Sequence, residues 1–251
     1  MPPRSRANLH GSVAVDAQIK AVLFDVFGTV VDWRSSITRE FAALGAAHGI
    51  AADWEGLADD WRGEYQPAMD GVRSGRRGWT VLDVLHRESL ERVLGHHGVG
   101  TVAESDLQHL TLAWHRLSPW PDAPPGLARL ATRYIVGTLS NGNTALLTDL
   151  ARHGGLAFDV LLGAETARAY KPLPEAYLRN VARLGLAPHE VMLVAAHNGD
   201  LAAAQVLGMR TGFVRRPTEH GPDQTTDLAP TGDWDVVADS IPAVADALGC
   251  A

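Results

Sequence analysis

One short apolar run, Lys20–Asp25 (KAVLFD), is followed by a long stretch in which no second convincing strand occurs, and only then does regular strand and helix alternation begin. The run reads as a buried strand because it is continuous, rich in β-branched and large apolar residues, and closed by an acid and a turn containing Gly28. From about Ser35 to His115 the apolar spacing is helical, in ITREFAALGAAHGI, WEGLADDWRGEYQPAM, TVLDVLHRESLERVLGHHG and SDLQHLTLAWHRL. After the proline-rich SPWPDAPP the pattern changes. PGLARLAT, NTALLTDLARHG, PEAYLRNVARLG and DLAAAQVLG read as helices; YIVGTLS, DVLLGA, VMLVAA, TGFVRR and WDVVAD read as strands. This order predicts an α/β fold: a doubly wound, Rossmann-like parallel sheet with a helical cap inserted after its first strand. The expected division is a loose tail over 1–17, a core from 18–33 and 116–251, and a cap over 34–115.

Charge and cysteine content narrow the partners. Lys and Arg number 22 against 29 Asp and Glu, a net charge of −7, so the basic footprint that nucleic acid or an anionic membrane demands is missing. No run reaches the roughly 18 apolar residues of a membrane span. The single cysteine, Cys250, cannot form an intramolecular disulfide, which points to a cytoplasmic protein acting on a small molecule. Whether it forms a homodimer is left open.

In open α/β sheets, ligands bind beyond the carboxyl ends of the strands. Four such ends carry polar chemistry here: Asp25 and Thr29; Ser140 and Asn141; Lys171; and His197, Asn198 and Asp200. Each of these except the lysine could merely cap a helix or turn. Lysine has no such use, and Lys171 is one of two lysines against twenty arginines. A carboxylate at the end of a buried strand, faced by that lysine, stays ionised while desolvated and suits a nucleophile. Asp25 is therefore the expected nucleophile, with Thr29 and Ser140 orienting it or the substrate.

The segments DVFGT (25–29), LSNG (139–142), YKP (170–172) and the loop ending at Asp200 resemble, in order, the four motifs of the haloacid dehalogenase superfamily. Most of its members are phosphohydrolases with a second, proton-donating aspartate where this chain has Phe27. The closer resemblance is to the L-2-haloacid dehalogenases, through Trp61-Arg62, RLSPWPD (116–122) and YKPxxxxY (170–177). It implies hydrolysis of short 2-haloalkanoic acids to 2-hydroxy acids through an ester on Asp25, with a 2-haloacid and a halide ion as the small-molecule partners. Halide is a weak base and needs no proton to leave. By the same resemblance Arg62 and Asn141 would hold the halide, Ser140 the substrate carboxylate, and Lys171 and Tyr177 would surround the nucleophile, while Asp200 with Lys171 would activate water. Phe27, His197 and Asn198 would complete the pocket. The family's Ser-Ser-Asn is replaced by Ala195-Ala196-His197, and His197 is read first as a hydrogen-bond partner supporting the site. No cofactor is implied: Mg²⁺ would need an acid where Ala196 stands. The rival readings are a Mg²⁺-dependent phosphohydrolase and a non-catalytic binding protein on this fold.

Overall fold

The protein is described by a computed structural model over residues 19–251; the expected tail over 1–17 lies outside the described residues. In chain order the strands are β1 (Ala21–Phe24), β2 (Val31–Asp32), β3 (Ser118–Pro119), β4 (Ile135–Ser140), β5 (Val160–Gly163), β6 (Val191–Ala195), β7 (Arg210–Val214) and β8 (Val236–Ala238). The helices are α1 (Trp33–His48), α2 (Trp54–Gly63), α3 (Tyr65–Arg73), α4 (Leu82–His96), α5 (Glu104–Thr111), α6 (Ala123–Leu130), α7 (Thr144–Gly154), α8 (Ala164–Ala167), α9 (Pro174–Arg183), α10 (Asn198–Val206) and α11 (Ile241–Ala247).

Six strands form one parallel sheet in the order β5-β4-β1-β6-β7-β8. Every residue of β1 is buried, because alternate side chains feed two different cores: Val22 and Phe24 join one cluster, Ala21 and Leu23 the other. A strand buried on both faces must be apolar throughout, which is why β1 reads as a continuous run rather than an alternating one. The chain leaves β1 toward β4 on one side and returns to β6 on the other. This places the topological switch between β1 and its two neighbours, where the ends of β1, β4 and β6 converge.

The helical insertion holds α1 to α5 and a 3₁₀ turn, Leu112–Arg116. Asp32 caps α1 by accepting from the backbone N–H of Ser35, Asp53 caps α2 by accepting from Gly56, and Gly49 ends α1 at φ 64°. Three details differ from the sequence reading. WEGLADDWRGEYQPAM is two helices that break at Glu64, the cap residue shared by α2 and α3. The insertion is stapled at its base by the two-residue antiparallel pair β2 and β3, too short to leave a pattern. The C-terminal α11, which Ser240 caps and which carries Pro242 in its first turn, has no counterpart among the helices expected from the sequence. Trp33, Trp61 and Trp114 are buried and pack the insertion's interior. Among the described residues no helix is long and apolar enough to cross a membrane.

Candidate active site

The ladder carries β1 one step further, with Asp25 N–H donating to Val194 O at 3.0 Å, so the carboxylate is delivered at a fixed height above the sheet edge. Gly28 then turns the chain at φ 82°. The turn sends Thr29 back under Asp25, where its Oγ1 donates to Asp25 Oδ2 at 2.9 Å and accepts from Ala196 N at 2.9 Å. Arg216 fixes the same turn from outside: its Nε donates to Thr29 O at 2.9 Å while its two terminal nitrogens grip Asp122 at 2.9 and 3.0 Å.

Lys171 approaches from the loop after α8. Its Nζ lies 2.5 Å from Asp200 Oδ2 and 3.3 Å from Asp25 Oδ1, and its backbone N–H donates to Asn141 Oδ1 at 2.9 Å. Tyr177 on α9 donates to the second oxygen of Asp200 at 2.7 Å. Burial works against the charged forms of both Asp25 and Lys171, yet their mutual attraction prevails. The Asp25 carboxyl is held well below its ordinary 3.8, chiefly by Lys171 and then His197, and the Lys171 ammonium is held above its ordinary 10.5 by Asp200 and Asp25. Asp25 is therefore an ionised, desolvated carboxylate.

His197, at the start of α10, is a hydrogen-bond partner of Asp25 itself. Its Nδ1 lies 3.1 Å from Asp25 Oδ2, and its Nε2 lies 2.9 and 3.0 Å from the two oxygens of Glu219. Burial opposes the imidazolium, but Glu219 and Asp25 hold it well above its ordinary 6.5. Glu219, whose side chain is 1% exposed, was missed in the sequence. It belongs to the loop after β7, a fifth strand end.

These groups open onto a cavity of about 410 Å³. Asp25, Phe27, Asn141, Lys171, Tyr177, His197 and Asp200 line it from the sheet edge, and Arg62, Tyr65 and Gln66 from the side of the insertion. Arg62 lies on α2 next to Trp61, which is anchored in the interior by Nε1 donating to His86 O and Ser89 Oγ, both at 3.1 Å. The Arg62 guanidinium covers the Tyr65 ring at 4.2 Å and the Trp33 ring at 5.6 Å, with its buried Nε unpartnered. Phe27 packs edge-on against Tyr65 and Trp114 at 6.1 and 5.7 Å. Tyr65 escaped the sequence reading because its role depends on the break at Glu64.

Two expected contacts are corrected. Neither Asn198 nor Ser140 lines the cavity. Asn198 spends its amide on the loop 227–234, donating to Asp227 Oδ1 and Ala229 O and accepting from Thr231 N and Trp234 Nε1. Ser140 Oγ accepts from Gly142 N at 3.2 Å and shapes the turn that carries Asn141. The donor set is also a poor match for a divalent cation. Lys171, Thr29 and His197 already face the two oxygens of Asp25, and Ala196 offers no ligand. Among the described residues no group of three His, Cys, Asp or Glu side chains could hold a metal ion.

The family model for haloacid dehalogenase-like hydrolases matches residues 19–208. This chain belongs to that family. (S)-2-haloacid dehalogenase 1 of Pseudomonas sp. (strain CBS-3) is 30% identical over 202 residues, covering 79% of this chain and 85% of the relative. Among solved structures, the defluorinating L-2-haloacid dehalogenase Rha0230 is similar at 51% identity and a TM-score of 0.91, over 92% of this chain and 96% of that one. The L-2-haloacid dehalogenase of Xanthobacter autotrophicus with chloropropionic acid covalently bound is similar at 26% identity and a TM-score of 0.75, over 91% of this chain and 97% of that one. Within the family, then, the likeness runs toward the 2-haloacid dehalogenases.

Proposed function

We propose that this chain hydrolyses the carbon–halogen bond of short 2-haloalkanoic acids to 2-hydroxy acids through an ester on Asp25. The observation that carries the reading is an ionised, buried Asp25 in a cavity whose wall also includes Phe27, Tyr65 and Arg62. That wall offers a leaving group positive charge but no carboxylic proton, which suits halide and not an alkoxide leaving from phosphorus. Asp25 attacks C2 in line, halide departs toward Arg62 and Asn141, and charge building on the halide is met by a guanidinium already in position. Water then attacks the ester carbonyl. Asp200, oriented by Lys171 and Tyr177, takes its proton and returns it to the departing 2-hydroxy acid. No step runs through a metal.

In this reading residues 34–115 act as the cap that closes the cavity over a core of 18–33 and 116–251, and the halide and the haloacid are the partners. A cytoplasmic setting is supported by a fold that uses no disulfide. The test is halide release from fluoroacetate, chloroacetate and each enantiomer of 2-chloropropionate, beside phosphate release from a panel of sugar phosphates with Mg²⁺. Chloride from L-2-chloropropionate is expected. Phosphate release with no halide from any haloacid would overturn the assignment.

A further inference from the structure

The two oxygens of Asp25 are not equivalent. Oδ2 accepts from Thr29 Oγ1 at 2.9 Å and faces His197 Nδ1 at 3.1 Å, whereas Oδ1 faces only Lys171 Nζ, at 3.3 Å. His197 Nε2 in turn lies against both oxygens of Glu219. Carboxylates accept and do not donate when ionised, so an imidazole held between two of them carries a proton on each nitrogen. Glu219 is itself fixed, accepting from Trp33 Nε1 at 3.1 Å. The motif glycine makes room for it: a Cβ on Gly28 would fall 2.0 Å from Glu219 Oε1. Thr29 and His197 thus meet one oxygen of Asp25, with Glu219 and Trp33 standing behind the histidine.

We infer that the two oxygens have fixed roles. Oδ1, with the freer lone pairs, attacks C2; Oδ2 becomes the ester carbonyl oxygen and, in the second step, the oxyanion held by the Thr29 hydroxyl and the His197 N–H. His197 is then a catalytic residue of ester hydrolysis and Glu219 a positioning residue that keeps it doubly protonated. The inference rests on the dehalogenase reading. In the second step a bond forms between water oxygen and Cγ, the carbonyl electron pair moves onto Oδ2, and the water proton passes to Asp200. The pair then re-forms the carbonyl, the Cγ–Oδ1 bond breaks, and the 2-hydroxy acid leaves with Oδ1 and the proton returned by Asp200, while the second water proton stays on the new Asp25 carboxyl and passes to solvent as that group ionises. The water oxygen takes the place of Oδ1, while Oδ2 never leaves.

The first experiment uses the wild-type chain. After many turnovers of L-2-chloropropionate in ¹⁸O-water, the peptide containing Asp25 carries one ¹⁸O; a second ¹⁸O means the oxygens exchange roles and overturns the inference. The second uses Glu219→Gln and the double variant Glu219→Gln/His197→Phe, the latter leaving no buried charge without its partner. Rapid quench of the double variant is expected to give a burst of about one chloride per site, followed by turnover at least about a hundredfold slower than wild type, with ester accumulating on Asp25. Loss of the burst together with turnover, or turnover within threefold of wild type, overturns the assignment of His197 to the second step. A wild-type chain that releases no chloride is a different result, and it removes the dehalogenase reading and this inference together.

Discussion

Replacing Arg62 by lysine keeps the charge of the cavity wall and removes the fork. The Arg62 side chain has no hydrogen bond or salt bridge among the described residues; it is held by the faces of Tyr65 at 4.2 Å and Trp33 at 5.6 Å, so its donors are free to meet an anion. A guanidinium can place two N–H groups on a departing halide where an ammonium on a shorter reach places one. Losing one charge-assisted hydrogen bond costs about 2 kcal/mol. Loss of the stacked cation adds about 1 kcal/mol. The sum of about 3 kcal/mol, applied to the transition state for halide departure, lowers kcat/KM by roughly a hundredfold. The assay is the initial rate of chloride release from L-2-chloropropionate by wild type, Arg62→Lys and Arg62→Ala, with a thermal melt of each. Because no salt bridge is lost, the melting temperature should move little. A lysine variant within threefold of wild type refutes the argument, and so does a rate loss that merely follows a large fall in melting temperature.

Activity as a function of pH should show an acid limb below 3.8, because Asp25 is held under that value, and an alkaline limb above 6.5, because His197 is held over it. Stability follows the same signs: the Asp25 contribution is complete above 3.8 and lost as pH falls through its lowered value, whereas that of His197 is complete below 6.5 and lost as pH rises through its raised one. An acid limb at or above 3.8 would contradict the Lys171 and His197 contacts on Asp25. Gly28→Ala sets an L residue at φ 82° with its Cβ against Glu219, and should lower the melting temperature by several degrees, about 2 kcal/mol, with a larger loss of turnover. A variant that melts and turns over like wild type would show that the turn can relax. Exhaustive chelation with EDTA should leave dehalogenation unchanged; loss restored by Mg²⁺ would show that the cation finds ligands despite Ala196.

What the sequence disclosed and what it hid divide along chain distance. Asp25, Thr29, Asn141 and Lys171 stand directly beyond strands or in short loops whose apolar runs are local signals, so their convergence could be read from topology alone. Glu219 could not be placed that way. It reaches His197 from a loop whose path is set by Arg216, which ties that loop to Thr29 and Asp122, three segments far apart in sequence. Asn198 misled for the opposite reason: two residues from Asp200, it looked like part of the site, but a helical step of about 100° per residue turns neighbours in different directions. Its amide is used up in binding the loop 227–234. Tyr65 depended on the helix break at Glu64, which Gly63 before it and Pro67 after it flank within one apparently continuous amphipathic run.

The central claim is covalent: Asp25 gives one of its own oxygens to the product. Enzyme in excess over L-2-chloropropionate, mixed in ¹⁸O-water for a single turnover, tests it most directly. Water that attacks the ester at Cγ leaves the bond between C2 and its new oxygen intact, so the account predicts unlabelled lactate and ¹⁸O in the peptide containing Asp25. Labelled lactate from that first turnover, with the Asp25 peptide light, would show that water attacks C2 itself and that Asp25 is its base.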